Sequence, residues 1–179
     1  MKHLVDGKMY TIPNAPALSL EEKIKRLEDT ESIKECMSYY FYYADMMDPV
    51  GMASCFTDDA RLCWSPGGEV YYGKEAILAD FKSRVGAPNA QVHHGSNKQI
   101  LFRTPDDAMM LCYLYSWKRF PGERPDYIIY ARYEINAVRD TDGEWRFASM
   151  QFLTSGEANQ PTEAQYFDRP WPPAPIPKK

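Results

Sequence analysis

A chain of 179 residues, 44% hydrophobic and 26% charged, has the balance of one folded domain with a sizeable core. Its formal net charge of −4 and pI near 5.4, with no basic stripe, speak against a nucleic-acid partner. No apolar run approaches the roughly 20 residues of a membrane span, and the first residues lack the charged-then-apolar order of a signal peptide.

Residues 1–19 carry two prolines and no strong period, and read as an N-terminal arm. Ser19-Leu-Glu-Glu22 is a capping box that opens a long helix. Ile24, Leu27, Ile33, Met37, Tyr40, Ala44 and Met47 then follow helical spacing, until Pro49 stops this helix or starts the next. The pattern predicts a short second helix over 52–56, ending at Thr57-Asp-Asp59, and strands over 60–64 and 70–72 around the turn Ser65-Pro-Gly-Gly68. A third helix is predicted over 74–85, ended by Gly86-Ala-Pro-Asn89. Four strands follow, over 92–103, 109–120, 127–139 and 144–154, separated by Pro- and Gly-containing turns. The tail is too proline-rich for helix or central strand. The domain is therefore expected at 20–155 and a Pro-rich tail at 156–179.

Helices first and antiparallel strands after predict an α+β fold with the helices on one face of a curved sheet. The strand over 109–120 is apolar on both faces: Met110, Cys112 and Leu114 on one, Leu111, Tyr113, Tyr115 and Trp117 on the other. A second apolar face suggests packing on another subunit, hence a homo-oligomer. Cys36, Cys55, Cys63 and Cys112 form no C-x-x-C pair and sit in apolar segments, which points to reduced thiols in a cytoplasmic protein.

The chemistry-bearing residues concentrate in Cys36-Met-Ser-Tyr-Tyr-Phe-Tyr-Tyr-Ala-Asp45 and in His93-His94, two of three histidines. An Asp and a His meeting in an apolar cavity suffice for proton transfer without metal or cofactor. Read alone, His93 is equally a surface strand histidine and Asp45 a solvated helix end, like Asp48, Asp58 and Asp59. Neighbours on a strand point to opposite faces, so only one histidine can line a cavity. Metal motifs such as H-x-x-x-H, a Gly-rich phosphate loop and a G-x-S-x-G elbow are all missing from the sequence.

Several pieces in order resemble the SnoaL-like group of the nuclear transport factor two-like superfamily. These are Leu27-Glu-Asp29, Asp45, Phe56-Thr-Asp-Asp-Ala60, Gly73-Lys-Glu-Ala-Ile77, His93-x-x-x-Asn97 and Asp142-Gly-Glu-Trp145. The resemblance implies a cone: a strongly curved sheet closed by three N-terminal helices around a pocket. Within the group, the functional pattern is similar to scytalone dehydratase and bile acid 7α-dehydratase. It implies His93 as general base, Asp45 as its partner and Tyr40 as a hydrogen-bond donor to substrate oxygen. Trp64 is expected to wall the pocket, with Ser116, Asn97, Tyr115 and Tyr133 as further substrate contacts. Ser116 departs from the pattern, standing where the bile acid enzymes carry an Asp, and the second His of the scytalone enzymes has no counterpart. The expected function is a cofactor-independent lyase that releases water, or a small carbonyl such as formaldehyde, from an aromatic or polycyclic hydroxylated substrate. An isomerase or cyclase, or a non-catalytic small subunit beside an oxygenase, are the alternatives. A dimer or trimer is expected.

Overall fold

The computed structural model describes residues 18–158. Most of the expected arm and tail lie outside the described residues. Helix α1 spans Leu20–Asp45, α2 Pro49–Ser54 and α3 Lys74–Arg84. The strands are β1 Phe56–Cys63, β2 Val70–Tyr72, β3 Ala90–Thr104, β4 Asp107–Arg119, β5 Tyr127–Arg139 and β6 Trp145–Glu157. The last strand thus takes two residues assigned to the tail.

Helix α1 begins at the capping box: Ser19 Oγ accepts from the Glu22 N–H, and the Glu22 carboxylate accepts from the Ser19 N–H. Its buried stripe is Asp29, Ile33, Met37, Tyr40, Phe41 and Ala44, at helical spacing. Ile24 and Leu27, expected on that stripe, are exposed. The chain leaves α1 through Met47 at φ 54, and Asp48 then caps α2 with Pro49 in its first turn. So Pro49 starts a helix. The short helix expected over 52–56 lies earlier, since Phe56 is fully buried and already paired with Phe147 of β6.

The six strands form one open mixed sheet in the order β2-β1-β6-β5-β4-β3. The β1–β6 pair is parallel and irregular between Phe56 and Arg61. The other pairs are antiparallel. On the inner face Met110, Cys112, Leu114 and Ser116 stand opposite Ile135, Tyr133, Ala131 and Ile129. This face packs against Ile33, Met37 and Tyr40 of α1 and Ile77 and Phe81 of α3. On the outer face Leu111 and Leu153 are buried within the single chain, beside the ion pair Arg132–Glu134. Exposure there concentrates at Tyr115 and Tyr130.

Helix α1 is strapped to the sheet at both ends. Near its start, buried Asp29 accepts from Trp145 Nε1 at 3.1 Å, from Arg139 and from Lys25. Burial alone would raise the Asp29 carboxyl, but these hydrogen bonds and the Arg139 charge outweigh it and hold it below its usual range. Replacing Asp29 with Ala leaves the indole N–H unpaired and takes one carboxylate from Arg139, which keeps Asp106 and the Gly143 carbonyl, and should cost about 1–3 kcal/mol, seen as a lowered Tm. Because the folded carboxyl titrates below its unfolded value, its stabilisation is complete above the ordinary carboxylate pKa and is lost as pH falls through the folded value. The wild-type advantage over the variant should therefore shrink in acid and stay constant from neutral pH upward.

Candidate active site

At the other end of α1 the helix meets β3. Asp45, its last residue, places Oδ1 at 2.6 Å from His93 Nδ1, and Oδ2 accepts the His93 backbone N–H at 3.3 Å. The Ala44 carbonyl accepts from Gln91 Nε2 beside this pair. An ionised carboxylate only accepts, so Nδ1 is the nitrogen that donates, and in the neutral imidazole Nε2 then keeps the lone pair. The His93 side chain is 8% exposed and that of Asp45 23%. Phe41 stacks on the imidazole at 5.7 Å between centroids and 8° between planes. That ring passes so close to β3 that a Cβ on Gly95 would lie 2.1 Å from Phe41 Cε2. Glycine is thus required by close approach, and it lets the ring lie flat over the imidazole.

The cavity between the helices and the inner sheet face has a volume of about 530 Å³, in the range of small-molecule sites. One wall is apolar, built by Tyr40, Trp64, Phe81, Leu114, Ile129, Tyr133 and Phe152. The other carries Gln91 and His93 of β3, Ser116 and Lys118 of β4, and Arg84 of α3. Asp45 stands behind His93.

Tyr40 is buried edge-on to Phe56, Phe147 and Tyr133. Burial pushes its phenol up, against an opposing hydrogen bond with Tyr133. The Tyr133 phenol is pushed up by burial as well. Both rings therefore stay protonated, and able to donate, well above neutral pH. Trp64 is held by Nε1 donating to Asp80 at 2.8 Å and by the Arg84 guanidinium 4.7 Å above its ring. Arg84 in turn pairs with the buried Asp80.

The structure brings Tyr40, Trp64, His93, Ser116 and Tyr133 together around the cavity, with Asp45 one bond behind. Two expected contacts are corrected. Tyr115 alternates outward from Ser116, is 38% exposed and packs at 5.5 Å on Tyr130. Asn97 sits at φ 49 in the irregular stretch between Ser96 and Gln99 of β3, exposed and away from the cavity. His94 also points outward, against Tyr115. Sequence reasoning missed Gln91, Arg84 and Lys118. For Lys118 a signal was present, since Met110, Cys112, Leu114, Ser116 and Lys118 share one strand face. Among the described residues no three His, Cys, Asp or Glu side chains converge to hold a metal.

With that geometry in place, the comparison with known families is decisive for the fold: a model described as a SnoaL-like domain matches residues 25–151. The chain belongs to the SnoaL-like domain family. No curated protein matches the sequence. Among solved structures, a scytalone dehydratase-like protein of Novosphingobium aromaticivorans is 25% identical, with a TM-score of 0.72 over 80% of this chain and 95% of its own. The hexachlorocyclohexane dehydrochlorinase LinA-type3 of Novosphingobium barchaimii is 21% identical, with a TM-score of 0.68 over 76% and 92%. ActVI-ORFA of Streptomyces coelicolor is 15% identical, with a TM-score of 0.61 over 70% and 96%. The last two share the SnoaL-like fold.

Gly95→Ala tests the stacking arrangement. Its methyl must displace a buried ring, so Tm should fall by the equivalent of about 1–3 kcal/mol, and the imidazole NMR resonances of His93 should shift with the loss of the Phe41 ring current. Unmoved resonances would mean that Phe41 does not hold His93.

Proposed function

We propose that the protein is a cofactor-independent lyase acting on a hydroxylated aromatic or polycyclic substrate. The observation that carries this is the His93 imidazole, held through Nδ1 by Asp45, in the wall of a largely apolar cavity that also holds two protonated phenols. In a dehydration, Nε2 takes a proton from carbon, the electron pair forms the new C=C bond, and the adjacent C–O bond breaks. Tyr40 gives its proton to the departing oxygen, which leaves as water, and the proton held on the His93 imidazolium restores the phenol. Asp45 stabilises the imidazolium formed in this step. In the C–C variant, His93 takes a hydroxyl proton, a small carbonyl such as formaldehyde leaves, and the carbanion is protonated. The same acid–base set would serve an isomerase or cyclase. Neighbours named for dehydration and dehydrochlorination support the elimination reading.

His93→Ala should lower turnover by at least ~10² with the fold intact. Asp45→Asn should do the same, because an amide permits the wrong tautomer while keeping the shape. Mass spectrometry on a panel of hydroxylated aromatics reads both, as loss of water or of formaldehyde; turnover in His93→Ala at the wild-type rate would remove the base from this scheme.

Cytoplasmic placement belongs to the same proposal and suits four free cysteines. So does assembly into a dimer or trimer through the outer face at Tyr115 and Tyr130, exposed 38% and 50%. Trp117, also on that face, is already engaged within the chain by Asp126 and Arg119. Tyr130→Ser should weaken association in sedimentation, and unchanged sedimentation would place the contact elsewhere.

A further inference from the structure

The inner face of β4 is apolar at Met110, Cys112 and Leu114 and then turns polar at Ser116 and Lys118. Ser116 is 0% exposed, yet its hydroxyl has no hydrogen-bond partner among the described residues. Leaving a buried hydroxyl unpaired is costly, and in a cavity wall the natural remedy is a ligand atom. Two residues on, Lys118 lines the same cavity and forms no ion pair among the described residues. Burial is the main influence that makes its ammonium more acidic than usual, Arg84 adds to it, and Asp45 opposes it. The nearby charges are otherwise engaged. Arg84 is held by Asp80, Asp45 by His93, and Glu157, on the β6 wall, by the Tyr127 hydroxyl.

Across the β3–β4 pair Ser116 stands opposite His93, and Lys118 opposite Gln91. Two residues of strand rise about 7 Å. The lysine therefore lies about one aromatic ring further along the wall than the His93 level, with Trp64, Phe81 and Phe152 to take the ring faces. We propose that Ser116 and Lys118 form a carboxylate subsite, and that the ligand is an aromatic carboxylic acid. Ser116 Oγ and Lys118 Nζ donate to its carboxylate, the rings run along the apolar wall, and the reacting carbon is one near that carboxylate, within reach of His93 on the paired strand. A neutral isostere leaves the half-buried ammonium and the buried hydroxyl unmatched, which makes the subsite selective. The position of the reacting carbon rests on the lyase reading; the binding of the carboxylate does not.

Isothermal titration of biphenyl-4-carboxylate and biphenyl-4-carboxamide tests this by binding alone. Wild type should bind the acid at least about tenfold more tightly than the amide. Lys118→Met should abolish that preference without weakening amide binding, Lys118→Arg should retain most of it, and Ser116→Ala should reduce it. His93→Ala should keep it whole. Equal affinity of wild type for acid and amide overturns the subsite whether or not any substrate is turned over. A preserved acid preference with no turnover of any hydroxylated aromatic overturns the lyase reading and leaves the subsite standing.

Discussion

The contact between Asp45 and His93 joins the end of a 26-residue helix to the start of the first long strand. Its position depends on the helix being held along its whole length. Asp29 fixes the early turns on Arg139 and Trp145, and the Gln91 amide grips the Ala44 carbonyl in the final turn. Lys98, bonded to the Lys34 carbonyl and Ser38 Oγ, adds a third tie midway. A rigid helix with three anchors lets one carboxylate reach one imidazole nitrogen, and this sets the tautomer on which the chemistry depends.

The cavity beyond that contact is divided by polarity. Its aromatic half holds two phenols that burial keeps protonated, so they serve as hydrogen-bond donors. Its polar half holds an imidazole, a hydroxyl and an ammonium on two neighbouring strands. A ligand that fills the cavity excludes water from between the halves, and charge on one wall then acts strongly on it.

Much of this was legible in the residues. The capping box marks the start of α1, the β5 bounds match those expected, and period-two alternation separates His93 from His94. The boundary between α2 and β1 was not legible. Thr57-Asp-Asp59 looks like the end of a helix, yet it lies inside β1, whose Phe56 and Arg61 to Cys63 on either side pair with β6 some 90 residues away. At the cavity, residue type and resemblance together pointed to Tyr40 and His93, which line it, and to Asp45, which bonds His93 from behind. Asn97 was misplaced because a bulge in β3 is invisible to alternation. Lys118 and Arg84 were passed over because a charge near the end of an element normally reads as solvated; only the tertiary arrangement shows them lining a cavity.

The sheet order carries a consequence for how the molecule assembles. Strands β3 to β6 are an antiparallel meander in which each pairs with its neighbour in sequence. Such a unit closes short loops, whereas the parallel β1–β6 pair and the seating of α1 require the chain ends of the domain to meet. His93 belongs to the meander and Asp45 to the helix, so a partial opening that lifts only the helix would separate the carboxylate from the imidazole while the strands stay hydrogen-bonded.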